Sequence, residues 1–359
     1  MKLTKMTCRH FRGLSDMELI PGAGINLLYG GNAQGKTSVL EAILYAATAR
    51  SHRTTNDADL VCHEKEDFHI YLEGETAKRS LSIEAHWWKG AKRFKVNGVA
   101  QNRLSDLLGQ LCVVFFSPDD IALIKGGAAV RRLFLDMELS QLSTPYLRAL
   151  QQYRQALRQR NEMLKHLQFD AELMGLWEAQ LAAQGSRLMD ERTTYIAQLS
   201  AIASPLYSQI VEKEPLEIIY APDIPDKEEF ASLLERSRKT DQQRRSTGRG
   251  PHRDDLDILI SGRSARVFAS QGQQKSAALI VKLAEVALVH GRLGDYPLIL
   301  LDEAVAELDE NRTHRLFHAL PEGAQTLITT AQPAQLPETI RSDSRIFRLE
   351  KGTLEKVGT

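Results

Sequence analysis

Gly30-Gly31-Asn32-Ala33-Gln34-Gly35-Lys36-Thr37 is the stretch on which the reading of this chain turns. It starts where an apolar run, 25–29, ends, and it leads into a segment, 36–47, with helical periodicity. The pattern G-x-x-x-x-G-K-[ST] therefore lies between a strand and a helix, the context a phosphate-binding loop requires. Glycines let the backbone curl until successive N–H groups point into one concavity. The following helix aims the positive end of its dipole at the same point. Lys36 then reaches the β and γ phosphates of a nucleotide, and the Thr37 hydroxyl holds Mg²⁺, with Ser38 completing the first turn.

Two further strings belong with the loop. Leu298-Ile299-Leu300-Leu301 followed by Asp302-Glu303 reads as a buried parallel strand ending in two carboxylates. Parallel α/β sheets collect ligands at the carboxyl ends of their strands, so Asp302 is placed to hold the Mg²⁺ hydration shell and Glu303 to polarise the attacking water. These carboxylates lie about 265 residues beyond the loop, which excludes a small GTPase or nucleotide kinase, and no NKxD string reads guanine. The second string is Phe268-Ala269-Ser270-Gln271-Gly272-Gln273-Gln274-Lys275. Here Ser270 is a natural N-cap, and Gly272 permits close approach of an oxyanion to helix N–H groups.

At 359 residues the chain has room for roughly two domains. Its 43% hydrophobic and 26% charged content is that of a globular protein, not a disordered or collagen-like one. Lys plus Arg and Asp plus Glu are both 46, so attraction to nucleic acid must come from local patches. Cys8, Cys62 and Cys112 are odd in number and lack CxxC spacing, which argues against a disulfide framework or zinc knuckle. Apolar runs such as 111–116 and 298–301 fall far short of a membrane span. These features predict a cytoplasmic protein without a membrane segment.

Along the chain, strands are expected at 3–8, 17–20, 25–29, 68–72, 81–85 and 93–96, with Asn97-Gly98 as a hairpin turn. From Pro118 onward the pattern turns helical. Residues 147–167 form one long helix, and Leu173, Leu176, Trp177, Leu181 and Leu188 mark a second, which Pro205 stops. The two, joined by Gln168-Phe169-Asp170, make an antiparallel arm. An edge strand is expected within 212–225, a helix at 227–239, and a mobile basic loop over 236–253, where seven basic residues face the single acid Asp241. Strands at 256–260, 298–301, 326–330 and 346–349 and a helix at 273–290 complete the reading. Arg244 and Arg245 of the basic stretch, with Arg148, Arg154 and Arg158 on the arm, are candidate DNA contacts, each neutralised phosphate steepening the salt dependence of binding.

Taken together the strings resemble the ABC-type ATPase heads, and among them the RecF family of bacterial DNA replication and repair proteins, related to SMC heads. The resemblance is carried by FRGL at 11–14, GGNAQGKTSVLEAI at 30–43, ARSHRT at 49–54, SPDDIALIKGG and RRLFLD within 117–136, GRGPHRDDL at 248–256, ASQGQQK at 269–275, LLDEAVAELD at 300–309 and LITTAQ at 327–332. It implies an α/β fold: a P-loop ATPase head with a mixed sheet, plus a second lobe carrying an inserted helical arm. One lobe would comprise 1–116 and 291–359, and the other 117–290, with the arm at about 140–240 and a signature helix at 270–290.

The resemblance further implies ATP and Mg²⁺ as cofactors and an ATP-dependent homodimer. Gly30, Gly31, Asn32, Ala33, Gln34, Gly35, Lys36, Thr37 and Ser38 would cradle the phosphates. Ser270, Gly272 and Gln273 would meet the γ phosphate of the other subunit, with Asp309 at the seam and Thr329 or Thr330 at a switch position. Arg50 and Arg53 would form a basic loop near nucleotide or DNA. The implied role is recombinational repair, replication restart and SOS induction: slow ATP hydrolysis as a switch on single-stranded and gapped or junction DNA, with RecR and RecO as partners. Two departures stand out. Asp302-Glu303 replaces the Asp-Asp of many relatives, which strengthens Glu303 as the base. The strand at 111–116 also lacks the glutamine that ABC heads carry there, with Gln110 a candidate for its contact. The alternative readings are the ATPase subunit of a membrane transporter, which predicts an LSGGQ-like string and no arm, and a structural SMC-like fragment, which needs long heptads.

Overall fold

Largely apolar strands form the centre of a six-stranded sheet whose carboxyl ends carry the phosphate loop, the Asp302-Glu303 pair and Thr329-Thr330. The computed structural model describes residues 1–166, 170–211, 214–303 and 310–357, arranged as two units, Met1–Asp120 with Val281–Thr359, and Ile121–Ile280. The strands are β1 (Lys2–Phe11), β2 (Leu14–Leu19), β3 (Ile25–Tyr29), β4 (Asp67–Glu75), β5 (Ser80–Trp88), β6 (Ala91–Val96), β7 (Val99–Gln101), β8 (Val113–Phe116), β9 (Leu216–Ala221), β10 (Asp255–Ile260), β11 (Arg263–Ser264), β12 (Leu298–Asp302), β13 (Thr326–Thr330), β14 (Arg345–Glu350) and β15 (Thr353–Val357). Among the described residues no helix is long and apolar enough to cross a membrane.

The first unit holds two sheets. One, in the order β15-β14-β3-β13-β12-β8, is parallel except for its edge strand β15, a mixed sheet as expected. Every residue of β8, β12 and β13 is buried, as for strands covered on both faces. The other sheet, β2-β1-β4-β5-β6-β7, is antiparallel, and its strands alternate: β4 buries Phe68, Ile70 and Leu72, and β5 buries Leu81, Ile83 and Ala85. The phosphate-loop helix, Lys36–Thr48, packs against strands of both sheets and is buried at every position but Thr37. Its Tyr45 lies against the rings of Phe11, Phe68 and Phe94, with centroids 6.3, 5.3 and 6.0 Å away. Asn97 and Gly98 both adopt positive φ, 50° and 78°, and close the β6–β7 hairpin as read.

The second unit is mainly helical, with a small sheet in the order β11-β10-β9, β9 being at the edge. Helices Ala128–Leu142 and Thr144–Met163 meet at Ser143, whose hydroxyl caps the second by accepting from the Tyr146 N–H at 3.1 Å. The next helix, Ala171–Ile210, is capped by Asp170, and residues 168 and 169 of the expected arm turn, with 167 at the expected helix end, lie outside the described residues. Pro205 does not stop it. The helix runs through the proline because Ala203 and Tyr207 on either side are fully buried, and that packing outweighs one missing backbone hydrogen bond.

The basic stretch is also ordered, not a mobile loop. Helix Phe230–Arg244 extends well into it, and Asp241 organises the rest. Arg160, wholly buried, donates to Asp241 at 2.7 Å, to the Thr247 hydroxyl at 2.9 Å and to Glu178 at 3.2 Å. The Gly248 N–H donates to the other Asp241 oxygen at 3.0 Å, and Arg238 and Arg249 pair with Glu178 and Asp223.

A second buried network centres on Arg192, which donates to Asp254 at 2.7 Å, Asp136 at 2.8 Å, the Pro251 carbonyl at 2.8 Å and the Tyr146 hydroxyl at 3.1 Å. Removing one partner of such a pair strands a buried charge, whereas an exposed pair contributes little. Arg192→Leu is therefore expected to lower stability by about 3–5 kcal/mol in urea unfolding. Arg348→Leu, which breaks an exposed pair with Glu350, should change it by under about 0.5 kcal/mol.

Candidate nucleotide site

The loop between β3 and its helix is shaped by close backbone approach. A Cβ on Gly30 would lie 2.2 Å from the Leu349 carbonyl oxygen of β14, so only glycine fits there, and Gly35 precedes the helix at φ 102°. Gln34 fixes the loop from behind: its Oε1 accepts from the Lys351 N–H at 2.6 Å and its carbonyl from the Gly352 N–H at 3.3 Å. Its side chain thus serves the loop's position, leaving backbone groups to face a ligand. The Lys36 ammonium donates to the Gly30 and Gly31 carbonyls, both at 2.9 Å, and lies 3.4 Å from a Glu303 carboxylate oxygen.

The carboxyl ends of β3, β13 and β12 finish level with one another, since Leu28 pairs with Thr329 and Thr329 with Asp302. Asp302 Oδ1 accepts from the Thr37 hydroxyl at 3.0 Å and the Thr329 hydroxyl at 2.7 Å. Burial raises the Asp302 pKa, against the lowering effect of those two hydroxyls, and the neighbouring Glu303 charge raises it further. Thr329 is fully buried, and its Oγ1 also accepts from the Glu303 N–H at 3.1 Å. Glu303 sits at φ 47°, a left-handed conformation that costs a non-glycine residue about 1 kcal/mol or more and that this bond sustains. Thr329 is thus a positioning residue for both carboxylates, while Thr330 Oγ1 accepts from the Gln332 N–H at 3.1 Å.

Glu41, fully buried in the phosphate-loop helix, was not singled out by its sequence context. It accepts two bonds from Arg12, at 2.8 and 3.0 Å, and one from Ser51 at 2.5 Å, so it anchors both the FRGL turn and the loop bearing the exposed Arg50 and Arg53. Burial pushes its carboxyl up, but the Arg12 and Ser51 contacts outweigh it and hold the pKa below the ordinary value. Gln110 is not at the site. It precedes β8, whose far end, Phe116, is the one paired with Leu301, and it bonds instead to Arg79 and the Asp106 carbonyl.

In the second unit the signature helix begins at Gln271. Ser270 and Gln273 form a reciprocal capping box: the Ser270 hydroxyl accepts from the Gln273 N–H at 3.2 Å, and Gln273 Oε1 accepts from the Ser270 N–H at 2.7 Å. Gln273 also donates to Glu214 at 2.7 Å. Ser270 is exposed and Gly272 half-buried. Arg148, Arg244 and Arg245 are exposed, and Arg154 pairs with Asp136 at 2.7 Å. Asp309 lies outside the described residues.

The family model for the RecF/RecN/SMC N-terminal domain matches residues 2–355. The chain is 39% identical to the DNA replication and repair protein RecF of Symbiobacterium thermophilum, covering 99% of this chain and 98% of that one. It is similar to the solved structure of the recombination mediator protein RecF with ATP in the RecFOR pathway, with a TM-score of 0.91, 32% identity and coverage of 99% and 97% of the two chains. An SMC head bound to the winged-helix domain of ScpA shares the fold at a TM-score of 0.60 and 15% identity.

The raised Asp302 pKa has a consequence for stability. Its burial penalty falls on the ionised form, so the neutral form's advantage is present at low pH and is lost as pH rises through the raised pKa. Asparagine keeps an acceptor for both threonines without the charge. In the nucleotide-free protein, Asp302→Asn should raise the melting temperature at pH 8 by on the order of 2 °C. That gain should shrink as pH falls toward the ordinary carboxylate range, read by calorimetry across pH.

Proposed function

The chain belongs to the RecF family of ATPase heads, and from that membership we propose that it is a recombination mediator of DNA replication and repair that binds and hydrolyses ATP as a switch. The observation that carries this reading is the junction of two segments remote in sequence: the Thr37 hydroxyl 3.0 Å from Asp302, with Lys36 between its own loop and Glu303.

ATP would enter with its phosphates against the N–H groups of residues 30–38 and the helix N-terminus. Lys36, held by two carbonyls and a carboxylate, exchanges those partners for phosphate oxygens. Mg²⁺ fits Thr37 and Asp302, hard oxygen ligands brought together at a buried carboxylate whose bonded neighbours are hydroxyls rather than cations. When bound, the ion would neutralise charge on the β and γ phosphates. Glu303, partly exposed beside Lys36, accepts the proton of the attacking water, and Thr329 keeps its backbone in place.

The capped first turn of the signature helix leaves the Gln271 and Gly272 N–H groups at its positive end, suited to a γ phosphate from a second copy of this chain. Gln273 is engaged in capping and with Glu214, so Ser270 and Gly272 carry that contact, with Asp309 at the same seam. The exposed Arg50, Arg53, Arg148, Arg244 and Arg245, with Arg154, supply cationic groups for single-stranded and gapped DNA. In this reading the ATP-bound dimer works in the cytoplasm on damaged or stalled DNA, with RecR and RecO as partners, and its action feeds the SOS response.

Two variants test the two halves of the scheme. Glu303→Gln is expected to bind ATP and dimerise while phosphate release slows by roughly 10²–10⁴-fold, since the amide cannot accept the proton. Unchanged turnover would move the base elsewhere. Ser270→Arg adds bulk at the helix cap and should abolish ATP-dependent dimerisation in light scattering while the monomer's ATP affinity stays within about twofold. A variant that still dimerised with ATP would contradict the shared-site model.

A further inference from the structure

Within the second unit, two consecutive helices present facing stripes that meet at the Asp136–Arg154 pair and line an open cleft. Helix Ala128–Leu142 contributes Ala129, Arg132, Leu133 and Asp136, and helix Thr144–Met163 contributes Leu150, Tyr153, Arg154 and Leu157. Each set is spaced i, i+3, i+4, i+7, one face of a helix. Between them lies an open cleft of about 310 Å³, floored by Leu188 and Arg192 of the long helix. Its volume falls at the lower edge of the range of ligand pockets.

Leucines and a tyrosine ring form most of the walls, and Leu133 is 41% exposed, with its neighbour Val130 at 38%. The polar groups are unequal in sign. Arg192 is buried and already paired with Asp254 and Asp136, so Arg132 and Arg154 face the cleft against the single lining carboxylate of Asp136, which accepts from Arg154, Arg192 and the Tyr146 hydroxyl. Half-buried Arg132 donates one N–H to the Asp254 carbonyl at 2.7 Å. A guanidinium has five N–H donors, so it retains capacity for a carboxylate. His252 adds no charge: its ring nitrogens lie 2.7 Å from the Tyr153 hydroxyl and 3.1 Å from the Thr247 carbonyl, and burial lowers its pKa.

We propose that this cleft is a docking site for an acidic amphipathic helical segment of a partner protein, which seats leucine-type side chains between the two helices and sets carboxylates against Arg132 and Arg154. In helix-in-groove recognition the docked helix supplies apolar anchors at i, i+3, i+4 and i+7, and a cleft between two helices is the groove that receives them. The excess of guanidinium over carboxylate selects an acidic partner. A phosphate backbone would match the arginines but leave exposed Leu133 and half-buried Leu157 uncovered. All the lining residues lie within Ile121–Ile280, so the site does not depend on the nucleotide scheme above.

The test uses the full-length chain and a fluorescein-labelled model peptide of about four helical turns, with leucine at i, i+3, i+4 and i+7 and glutamate at most other positions. Controls are the same residues in scrambled order and a single-stranded oligonucleotide. Anisotropy should show micromolar binding of the patterned peptide and at least tenfold weaker binding of the scrambled one. Leu133→Glu should weaken the patterned peptide at least tenfold and Leu133→Met less than about twofold, with ATP binding unchanged in both. If Leu133→Glu fails to fold, Ala129→Glu at an exposed wall position replaces it. Absence of binding, equal binding of both peptides, or indifference to the Leu133 or Ala129 charge overturns the proposal. So does a result in which the oligonucleotide displaces the peptide and is itself weakened by Leu133→Glu, since the cleft would then be a nucleic-acid surface.

Discussion

The contact between Thr37 and Asp302, two residues 265 apart in sequence, is the constraint that the first unit is built to satisfy. It requires β3 and β12 to end at one level, which the register through β13 enforces, and it requires a third group to hold the carboxylate once it is there. Thr329 is that group. Because one threonine oxygen donates to Asp302 and accepts from the Glu303 N–H, the two carboxylates cannot move independently. Burial of Asp302 beside Glu303 raises its pKa, and the left-handed backbone at Glu303 is held by the same threonine.

What could be read from the residues themselves was whatever is encoded locally. The phosphate loop, the apolar runs that became β3, β8, β12 and β13, the Asn97-Gly98 hairpin and the Ser270 cap each depend on neighbours within a few positions, and each formed as its local chemistry dictates. The misreadings share the opposite property. Pro205 reads as a terminator until the burial of Ala203 and Tyr207 is known, and the basic stretch reads as a loop until Arg160 arrives from another helix to meet Asp241. β15 was missed because its turn, Lys351-Gly352, places lysine at positive φ, a weaker signal than asparagine.

The site shows the same division. Lys36, Thr37, Asp302 and Glu303 are named by motif, but the residues that aim them are not. Gln34 looks like one more member of a glycine-rich loop, yet its side chain is gripped by the β14–β15 turn more than 300 positions away. Glu41 looks like an ordinary helix residue, yet it ties Arg12 and Ser51 to the same helix. Positioning groups carry no pattern of their own because what they need is only an oxygen in the right place, and several residue types at many spacings can supply that.

The order of strands also sets a timetable. β3 has β13 on one side and β14 on the other, and both come from the last stretch of the chain, with β13 beginning at Thr326 and β3 ending at Tyr29. A chain emerging from the ribosome at about 5–20 residues per second therefore holds β3 without either neighbour for on the order of 15–60 s. All of Ile121–Ile280 emerges in that interval, and its buried arginine networks lie within it, so the second unit can complete itself first. During the wait an apolar strand with two unpaired edges is a template for wrong partners. The sheet strand that waits longest for a partner is then five residues near the beginning of the chain, Ile25–Tyr29.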